Sequence, residues 1–334
     1  GEATGTIFTN HSNKMPMLTS SCPGWICYAE KKHPDILPHI TTCKSPQQVL
    51  GRVLKTKLLV KETSLYHVTL MPCFDKKLES SRQTLRETYT GEGRVIPDVD
   101  LVITPTELLK LFQKDGIDFK GLALAPFPAV DSIERRFVSV ENINGRDKIV
   151  TAANDSSHSG SSGGYLDYVL RATATRLFHL DTFNSFKKLN FQVQRNRDFK
   201  IIHLLAGDEV LVKFALIYGF RNIEIILKKL KSGDRIFDFA EVMACPSGCL
   251  NGGAQIKPKK RPKAKQMLAS IKQLCDSSMS RKTHDFVGLC AKNSFIYDGI
   301  FNGNLFSSES QKNFRTQYKA VSSLKKNSFA NTAW

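Results

Sequence analysis

The sequence predicts an α/β fold of two lobes, each built on a parallel sheet. Short apolar runs of strand length alternate with amphipathic segments of helical period, an order typical of parallel sheets covered by helices. The chain has 334 residues, enough for two domains or one large two-lobed domain, and 41% of them are hydrophobic. Each lobe can therefore bury a core.

The first lobe begins with two predicted helices, which span Trp25–Lys31 and Pro46–Leu59. Apolar residues recur at helical spacing in the second, and Ser45 stands where an N-cap is expected. Leu65–Met71 and Val99–Ile103 have the length and β-rich composition of buried strands. The segment T-P-T-E-L-L-K-L-F that follows starts a further helix, with proline in its first turn.

The residues from Pro126 to Ser162 lack sustained periodicity and are predicted to form a linker or surface loop. A second lobe is predicted beyond them, with helices at Tyr165–Phe178 and Arg221–Leu230, the latter closed by Gly233. Its predicted strands are Phe199–Leu205, Glu209–Ala215 and Phe237–Met243.

The predicted domains are a first lobe with its linker over residues 1–155, a second lobe over 156–256, and a C-terminal extension over 257–334. The extension is rich in Ser, Asn and Lys, with helical patches near Met267–Leu274 and Phe314–Leu324. The chain does not begin with Met, so the first residues are expected to start inside a longer or alternatively processed product.

Four of the eight cysteines lie in three short motifs typical of metal-binding turns. Cys22 lies in T-S-S-C-P-G-W, Cys73 in M-P-C-F-D-K-K, and Cys245 and Cys249 in A-C-P-S-G-C-L-N-G-G. A lone C-x-x-x-C pair supplies half of the four thiolates of an iron-sulfur cluster, so the other half must come from elsewhere. Ligands collect beyond the carboxyl ends of parallel strands, where Cys73 and the C-x-x-x-C pair are predicted to lie. Each lobe is therefore expected to present two cysteines to a common cleft.

The motifs, in this order and spacing, resemble the iron-only hydrogenase family. The resemblance is closer to its eukaryotic cytosolic branch of iron-sulfur assembly factors, the nuclear prelamin A recognition factor-like proteins. It covers roughly Leu18 to Gln255 and includes S-P-Q-Q-V, D-V-D-L-V-I-T, S-G-G-Y and Y-G-F-R-N. Each short motif alone is weak, and their order makes the resemblance specific.

The resemblance implies that Cys22, Cys73, Cys245 and Cys249 ligate one 4Fe-4S cluster in a cleft between the two lobes. Tetrahedral zinc is the alternative metal, because four thiolates also suit it, but the wide separation of the partners favours iron-sulfur. The neighbouring glycines would let backbone approach the cluster. The other cysteines are expected to be ordinary thiols: Cys27, Cys43, Cys275 and Cys290.

Hydrogenase chemistry is disfavoured at one position. The resemblance implies a proton-relay cysteine directly before the first cluster ligand, where this chain has Ser21. A hydroxyl is a far poorer acid than a thiol, whose pKa is about 8.5. Lys76 matches a family residue that holds a cyanide ligand of the diiron subsite, so the pocket is only partly altered. A salt bridge is the alternative role for this lysine.

Two further features bear on the assembly branch. Its members carry an N-terminal four-cysteine motif for a second cluster, and no cysteine precedes Cys22 here, so the chain is either truncated or has lost that cluster. Relatives often end in an aromatic residue that docks on the targeting complex, and this chain ends in T-A-W with Trp334 last. A passive terminus is the alternative.

The charge pattern indicates acidic partners or nucleic acid without choosing between them. The formal net charge is +17, and its densest patch is the basic tract Lys257–Lys265, K-P-K-K-R-P-K-A-K. The tract suits a nuclear localisation signal, a phosphate-binding segment or a solvated linker, in which prolines oppose helix. No zinc finger or RNP motif accompanies it, so a dedicated nucleic-acid-binding function is not expected.

The sequence thus predicts a non-enzymatic iron-sulfur protein of cytosolic assembly that acts between an early scaffold and a targeting complex. The rivals are a nuclear prelamin A-binding protein and a residual iron-only hydrogenase. Eight cysteines are too few for a disulfide scaffold and suit a reducing compartment, so a cytoplasmic location is expected, with a nuclear one as a further option. No apolar run approaches the roughly 20 residues of a membrane span, and no signal segment is evident, so no membrane association is expected.

Overall fold

The computed structural model describes residues 14–58, 65–82, 86–88, 95–123, 138–143, 146–151, 164–180, 190–279 and 307–321. Its strands are β1 Met17–Thr19, β2 Val68–Leu70, β3 Arg86–Thr88, β4 Val95–Pro97, β5 Leu101–Ile103, β6 Val138–Ile143, β7 Arg146–Thr151, β8 Gln192–Asn196, β9 Phe199–Ala206, β10 Glu209–Tyr218 and β11 Phe239–Met243. Its α-helices are α1 Pro23–Lys32, α2 Pro46–Leu58, α3 Asp75–Ser80, α4 Pro105–Lys114, α5 Tyr165–Leu177, α6 Phe220–Lys231, α7 Arg261–Met279 and α8 Ser308–Phe314.

The larger sheet has five strands in the order β1-β11-β10-β9-β8. β1 and β10 run parallel to β11, whereas β9 and β8 add antiparallel pairs at the other edge. β1 pairs Met17 with Phe239 and Thr19 with Glu241, so the carboxyl ends of β1 and β11 lie side by side.

Alternation along the strands gives this sheet two apolar faces. On β10, Phe214 and Leu216 pack in one buried cluster, and Ala215 and Ile217 pack in the other. Side chains of α5 complete the first cluster, while α1 and α6 complete the second. The sheet is therefore covered by helices on both faces, which suits strands that are apolar on both sides.

A second parallel pair, β2 with β5, lies beneath α2. Gly51 of α2 allows this packing, because an added Cβ would overlap the carbonyl oxygen of Asp98. The Asp98 carboxylate is 1% exposed and pairs with Lys44 Nζ at 2.8 Å and with an Arg52 guanidinium nitrogen at 2.6 Å. A buried carboxylate of this kind is stable only with such partners.

From Phe314, the last residue of α8, to residue 321, the chain forms a non-helical strap across its first part. The amide of Lys44 donates to the carbonyl of Phe314 at 2.9 Å, and the amide of Thr316 donates to the carbonyl of Thr42 at 2.8 Å. The far end of the strap is fixed on α1, where Glu30 accepts from the amides of Lys319 and Val321.

The α/β class is confirmed, and the predicted strands and helices of both lobes are found with shifted ends. Three predictions are wrong. Within the described residues, the Ser45 hydroxyl is buried without a hydrogen-bond partner and does not cap α2; the amides of Gln48 and Val49 donate to the Ser45 carbonyl instead. The predicted linker contains the antiparallel hairpin β6–β7. Residues 315–321 of the predicted C-terminal helix are not helical, because amides of the strap bond to Thr42 and Glu30, and residues 322–324 lie outside the described residues.

Three findings concern the remaining predictions. The domain boundaries stay predictions, although β1, from the first predicted domain, lies in the sheet of the second. α7 begins inside the basic tract, where Pro262 is tolerated because it falls in the first turn. In the part of the chain that the structure describes, no helix has the length and apolar character of a membrane span.

Glu241 is a buried carboxyl on β11, between β1 and β10 of the larger sheet. It is 1% exposed, and its oxygens accept from the amide of Leu166 at 2.9 Å and from the Tyr218 hydroxyl at 3.2 Å. Burial raises its pKa to about 7, although these hydrogen bonds oppose the rise. The folded protein therefore holds this proton more tightly than the unfolded chain does.

Replacement of Glu241 by Gln tests this proton. The contribution of the protonated carboxyl to stability is fully present below its ordinary pKa of 4.5 and is lost as the pH rises through about 7. Relative to the wild type, Glu241→Gln should therefore gain up to about 3 kcal/mol of unfolding free energy from pH 5 to pH 8. Urea denaturation at both pH values measures this. Glu209→Gln, at an exposed position of β10, should follow the wild type. Parallel pH profiles for all three proteins would contradict the assignment.

Candidate metal centre

Cys22 and Cys245 follow two neighbouring parallel strands. Cys22 comes three residues after the end of β1, and Cys245 comes two residues after the end of β11. Because the two strands are in register and end at the same edge of the sheet, their following turns lie beside each other.

Serine side chains fasten the Cys22 turn to the end of β11. The Ser20 hydroxyl donates to the carbonyl of Val242 at 2.5 Å and accepts from the amide of Cys22 at 3.0 Å. The Ser21 hydroxyl lies 3.9 Å from the sulfur of Met243. The T-S-S-C motif therefore sets the position of Cys22 relative to the strand that leads to Cys245.

Cys73 comes from the other sheet. It lies in the turn between β2 and α3, three residues after β2 ends. Its sulfur accepts the backbone N–H of Lys76, a group in the first turn of α3. Such a bond favours the thiolate, the form that binds metal.

Two glycines bring the turns from both sheets together. An added Cβ at Gly24, in the first turn of α1, would lie 2.8 Å from a carboxylate oxygen of Asp75 and 3.8 Å from the Cβ of Ala244. One at Gly252 would overlap the carbonyl oxygen of Pro72. That oxygen also accepts the amide of Ala254 at 3.0 Å. Residues adjacent to the three cysteine motifs are thus in mutual contact.

The loop from Cys245 to Cys249 turns sharply. Ser247 and Gly248 both have left-handed backbones, with φ of 62° and 71°. The amide of Ser247 donates to the Asp198 carboxylate at 2.8 Å, and the amide of Gly248 donates to the carbonyl of Cys245 at 3.1 Å. Cys249 then lies in a single turn of 3₁₀ helix, Gly248–Asn251.

The thiols influence one another electrostatically. Burial raises the pKa of Cys73 to about 11, and the nearby Cys22 adds to the rise. Burial also raises the pKa of Cys245, with further contributions from Cys22 and Cys73. Three of the four predicted ligands are therefore brought together. Cys249 packs against the same apolar cluster as Cys22, on the α5 side of the sheet.

The donor set fits a 4Fe-4S cluster, which four thiolates hold. The three motifs supply four thiols from both sheets, and none of them is in a disulfide. Within the described ranges, no group of three or more His, Cys, Asp or Glu side chains could hold a single metal ion. The ligands of a 4Fe-4S cluster lie farther apart than those of a single metal ion, because each thiolate binds a different iron atom of the cluster.

The other predicted site residues have structural partners. Lys76 is 6% exposed, and its ammonium pairs with Glu79 at 2.9 Å, as the salt-bridge alternative predicts. Gln47, in S-P-Q-Q-V, also bonds to Glu79 and accepts from the Thr69 hydroxyl at 3.1 Å. Cys27 lies on α1, and the Cys43 thiol is 3.5 Å from the Lys44 carbonyl oxygen. The side chain of Cys275, and the whole of Cys290 and Trp334, lie outside the described residues.

Sequence reasoning missed the parts that hold the motifs together. β1 spans three residues, too few to show a period, and Ser20 and Asp75 gave no signal of their contacts. The glycine that follows Cys22 and Pro23 was a signal that could have been used, because glycine is a poor residue for the first turns of a helix.

A methyl group at position 252 should separate the two sheets at the cysteine turns. Gly252 has an ordinary φ of −55°, so Gly252→Ala acts through the clash with Pro72 and not through backbone strain. We expect it to lower bound iron by about threefold or more while far-UV circular dichroism changes little.

Gly253→Ala is the matched control, because no atom of the residues that the structure describes lies within 4 Å of a Cβ built there. It should bind iron like the wild type after identical anaerobic reconstitution. Equal iron content in both variants would mean that the contact between Gly252 and Pro72 does not position the site.

Residues 2–253 match the family described as the iron only hydrogenase large subunit, C-terminal domain. The cytosolic Fe-S cluster assembly factor narfl of Danio rerio is 40% identical over 266 residues, which cover 78% of this chain and 59% of that protein. Cytosolic iron-sulfur assembly component 3 of Rattus norvegicus is 36% identical over 321 residues, which cover 94% of this chain and 61% of that protein. The chain spans about three fifths of the length of these curated relatives.

Solved structures share the fold. A variant of apo FeFe-hydrogenase HydA1 from Chlamydomonas reinhardtii is similar with a TM-score of 0.66 and 23% identity, over 92% of this chain and 76% of that chain. Another variant of that enzyme has a TM-score of 0.67 and 24% identity, over 92% of this chain and 77% of that chain. With this fold, the match over residues 2–253 shows that the chain belongs to the iron-only hydrogenase family.

Proposed function

We propose that this chain binds one 4Fe-4S cluster through Cys22, Cys73, Cys245 and Cys249 and serves cytosolic iron-sulfur protein assembly. In that role it passes or presents a cluster between an early scaffold and a targeting complex. The observation that carries the proposal is the convergence of the three cysteine motifs at the contact between the two sheets. The names of the curated relatives, cytosolic assembly factors, support the pathway and a cytoplasmic location.

The chain's own groups prepare the site for such a ligand. When bound, a cluster would supply redox-active iron and sulfide that can be retained or transferred. The N–H of Lys76 at the sulfur of Cys73 stabilises the thiolate. Burial keeps the Cys73 and Cys245 thiols protonated at neutral pH, so binding must release their protons. The apolar clusters that flank Cys22 limit the access of water.

The same geometry supports a non-enzymatic role. Ser21, at the position of the proton-relay thiol, is 8% exposed and directs its hydroxyl to the sulfur of Met243. The space beside Ser21 and Cys22 is about 20 Å³, room for about one water molecule, and Tyr318 of the strap lines it. Lys76 is paired with Glu79. Hydrogen production by a loaded sample above that of free cluster would contradict this part of the proposal.

Removal of single cysteines tests the ligand set. Cluster binding is coupled to formation of the site, so loss of one thiolate should reduce occupancy of the whole cluster. We expect Cys22→Ala, Cys73→Ala, Cys245→Ala and Cys249→Ala each to lower iron per chain by about fivefold or more. The broad visible absorbance near roughly 400 nm, typical of thiolate-bound clusters, should fall in parallel.

The other cysteines are the controls. Cys27→Ala, Cys43→Ala, Cys275→Ala and Cys290→Ala should keep iron and absorbance, because they change packing only. A control that empties the site, or a ligand variant that stays loaded, would show that the four-cysteine assignment is wrong. Zinc content measured on the same samples distinguishes a zinc site from an iron-sulfur site.

Partner docking is proposed for the last residue. A buried Trp anchor can contribute a few kcal/mol to an interface, and a terminal indole with a carboxylate is a compact recognition element. Deletion of Trp334 should weaken co-purification with cytosolic targeting factors at least about fivefold without loss of iron. Substitution of Trp334 by Phe, which keeps an aromatic terminus, should retain part of the binding. Unchanged recovery after the deletion would make the tail passive.

A further inference from the structure

A cleft of about 340 Å³ opens beside the cysteine loop, the loop from Cys245 to Cys249. One wall is the turn between β8 and β9 with the adjoining part of the sheet, and the other is the middle of α7. Ser247 and Leu250, which flank Cys249, belong to its lining. The cleft is therefore separate from the cysteines but in contact with the loop that carries two of them.

The charges of this cleft are predominantly positive. Its lining contains four cations, Arg197, Lys200, Lys265 and Lys272, and one carboxylate, Asp198. The carboxylate accepts the amide of Ser247 at 2.8 Å and so holds the loop. Among the described residues, no ion pair involves Arg197, Lys265 or Lys272. Cations that outnumber the carboxylates of a concave site attract anionic ligands strongly.

Apolar groups lie between these cations. Leu250 of the cysteine loop and Leu268 of α7 both line the cleft and are partly exposed. Lys265 and Lys272 stand seven residues apart on α7, about two helical turns, so they share one face of the helix with Leu268 between them. The cleft therefore suits a ligand with carboxylates on either side of an apolar group.

We infer that this cleft binds an acidic peptide segment of a protein partner, with one apolar side chain against Leu250 and Leu268. The basic tract Lys257–Lys265 has exposed lysines, and its last residue, Lys265, lines the cleft. The acidic residues of a peptide longer than the cleft could therefore pair with the lysines of the tract as well. The tract is also held close to the loop, because the Lys257 ammonium donates to the carbonyl of Asn251 at 2.9 Å.

The lining favours a peptide over nucleic acid. Tyr218 is its single aromatic residue, and it is 7% exposed, so the cleft offers no face on which bases could stack. Lys265 and Lys272 lie in the middle of α7, Arg197 in the turn before β9 and Lys200 on β9. None of the first amides of α7 belongs to the lining, so the amide cradle that typically holds phosphate is missing from it.

Binding of an acidic peptide does not require a cluster, whereas the use of the cleft for cluster handling rests on the proposed function. A segment seated there would contact Ser247 and Leu250 and so bring its parent protein beside Cys249. Charge steering would increase the rate at which such a partner meets this face of the molecule.

Fluorescence anisotropy tests the cleft with a labelled peptide, Glu-Asp-Leu-Glu-Asp-Glu, at about 150 mM salt. Lys265→Glu with Lys272→Glu should weaken its binding by about tenfold or more. Lys110→Glu with Lys114→Glu, at exposed positions of α4, makes the same change in net charge on a helix that does not line the cleft and should change the affinity less than about twofold. Leu268→Ala should also weaken binding, which a purely electrostatic attraction would not predict.

The outcomes separate the alternatives. Equal losses in both charge-reversed proteins would overturn the proposal, since attraction would then follow net charge alone. Binding of a single-stranded oligonucleotide that displaces the peptide and is lost with the same two lysines would overturn it in favour of nucleic acid. Iron per chain is measured on every variant, so a protein that binds peptide without iron contradicts the proposed function and leaves the cleft assignment standing.

Discussion

The two sheets meet through contacts that leave no room for side chains. The Gly252 and Pro72 backbones touch directly, and the first turn of α1 approaches Asp75 at Gly24. Pro72 and Asp75 flank Cys73, so the spacing of the sheets and the spacing of the thiols depend on the same atoms. A change that separates the sheets therefore also moves Cys73 away from the cysteines of the larger sheet.

The surroundings of the thiols oppose the charged form that metal binding needs. Burial raises the pKa of Cys73 and Cys245, and the mutual influence of the thiols raises it further. In the metal-free protein this is favourable, because protonated thiols can lie near one another without repulsion. The arrangement of these turns is therefore compatible with a metal-free state, and a metal held by the proposed ligands would have to displace the protons.

The sequence predicted the elements whose signal is local. Cys73 and Cys245 were placed correctly after strands, because Leu65–Met71 and Phe237–Met243 are apolar runs of strand length. β1 was missed, since a three-residue strand becomes a strand only by pairing with β11. The strap was predicted as a helix, but its amides bond to residues near the start of the chain. The basic cleft lies between the turn at Arg197 and the helix at Leu268. Hydrophobic periodicity in the sequence cannot show that these two segments are close in space.

The pairing of β1 with β11 constrains the order of events during biosynthesis. The Ser20 hydroxyl reaches a carbonyl 222 residues later in the chain, and the residue that contacts Pro72 is Gly252. The turn at Cys22 therefore cannot take its place beside the Cys245 loop until that part of the chain has been synthesised. Domains generally fold as units as they leave the ribosome, but this centre is complete only after residue 254 has emerged. With the proposed ligand set, metal loading would therefore follow translation of the whole centre.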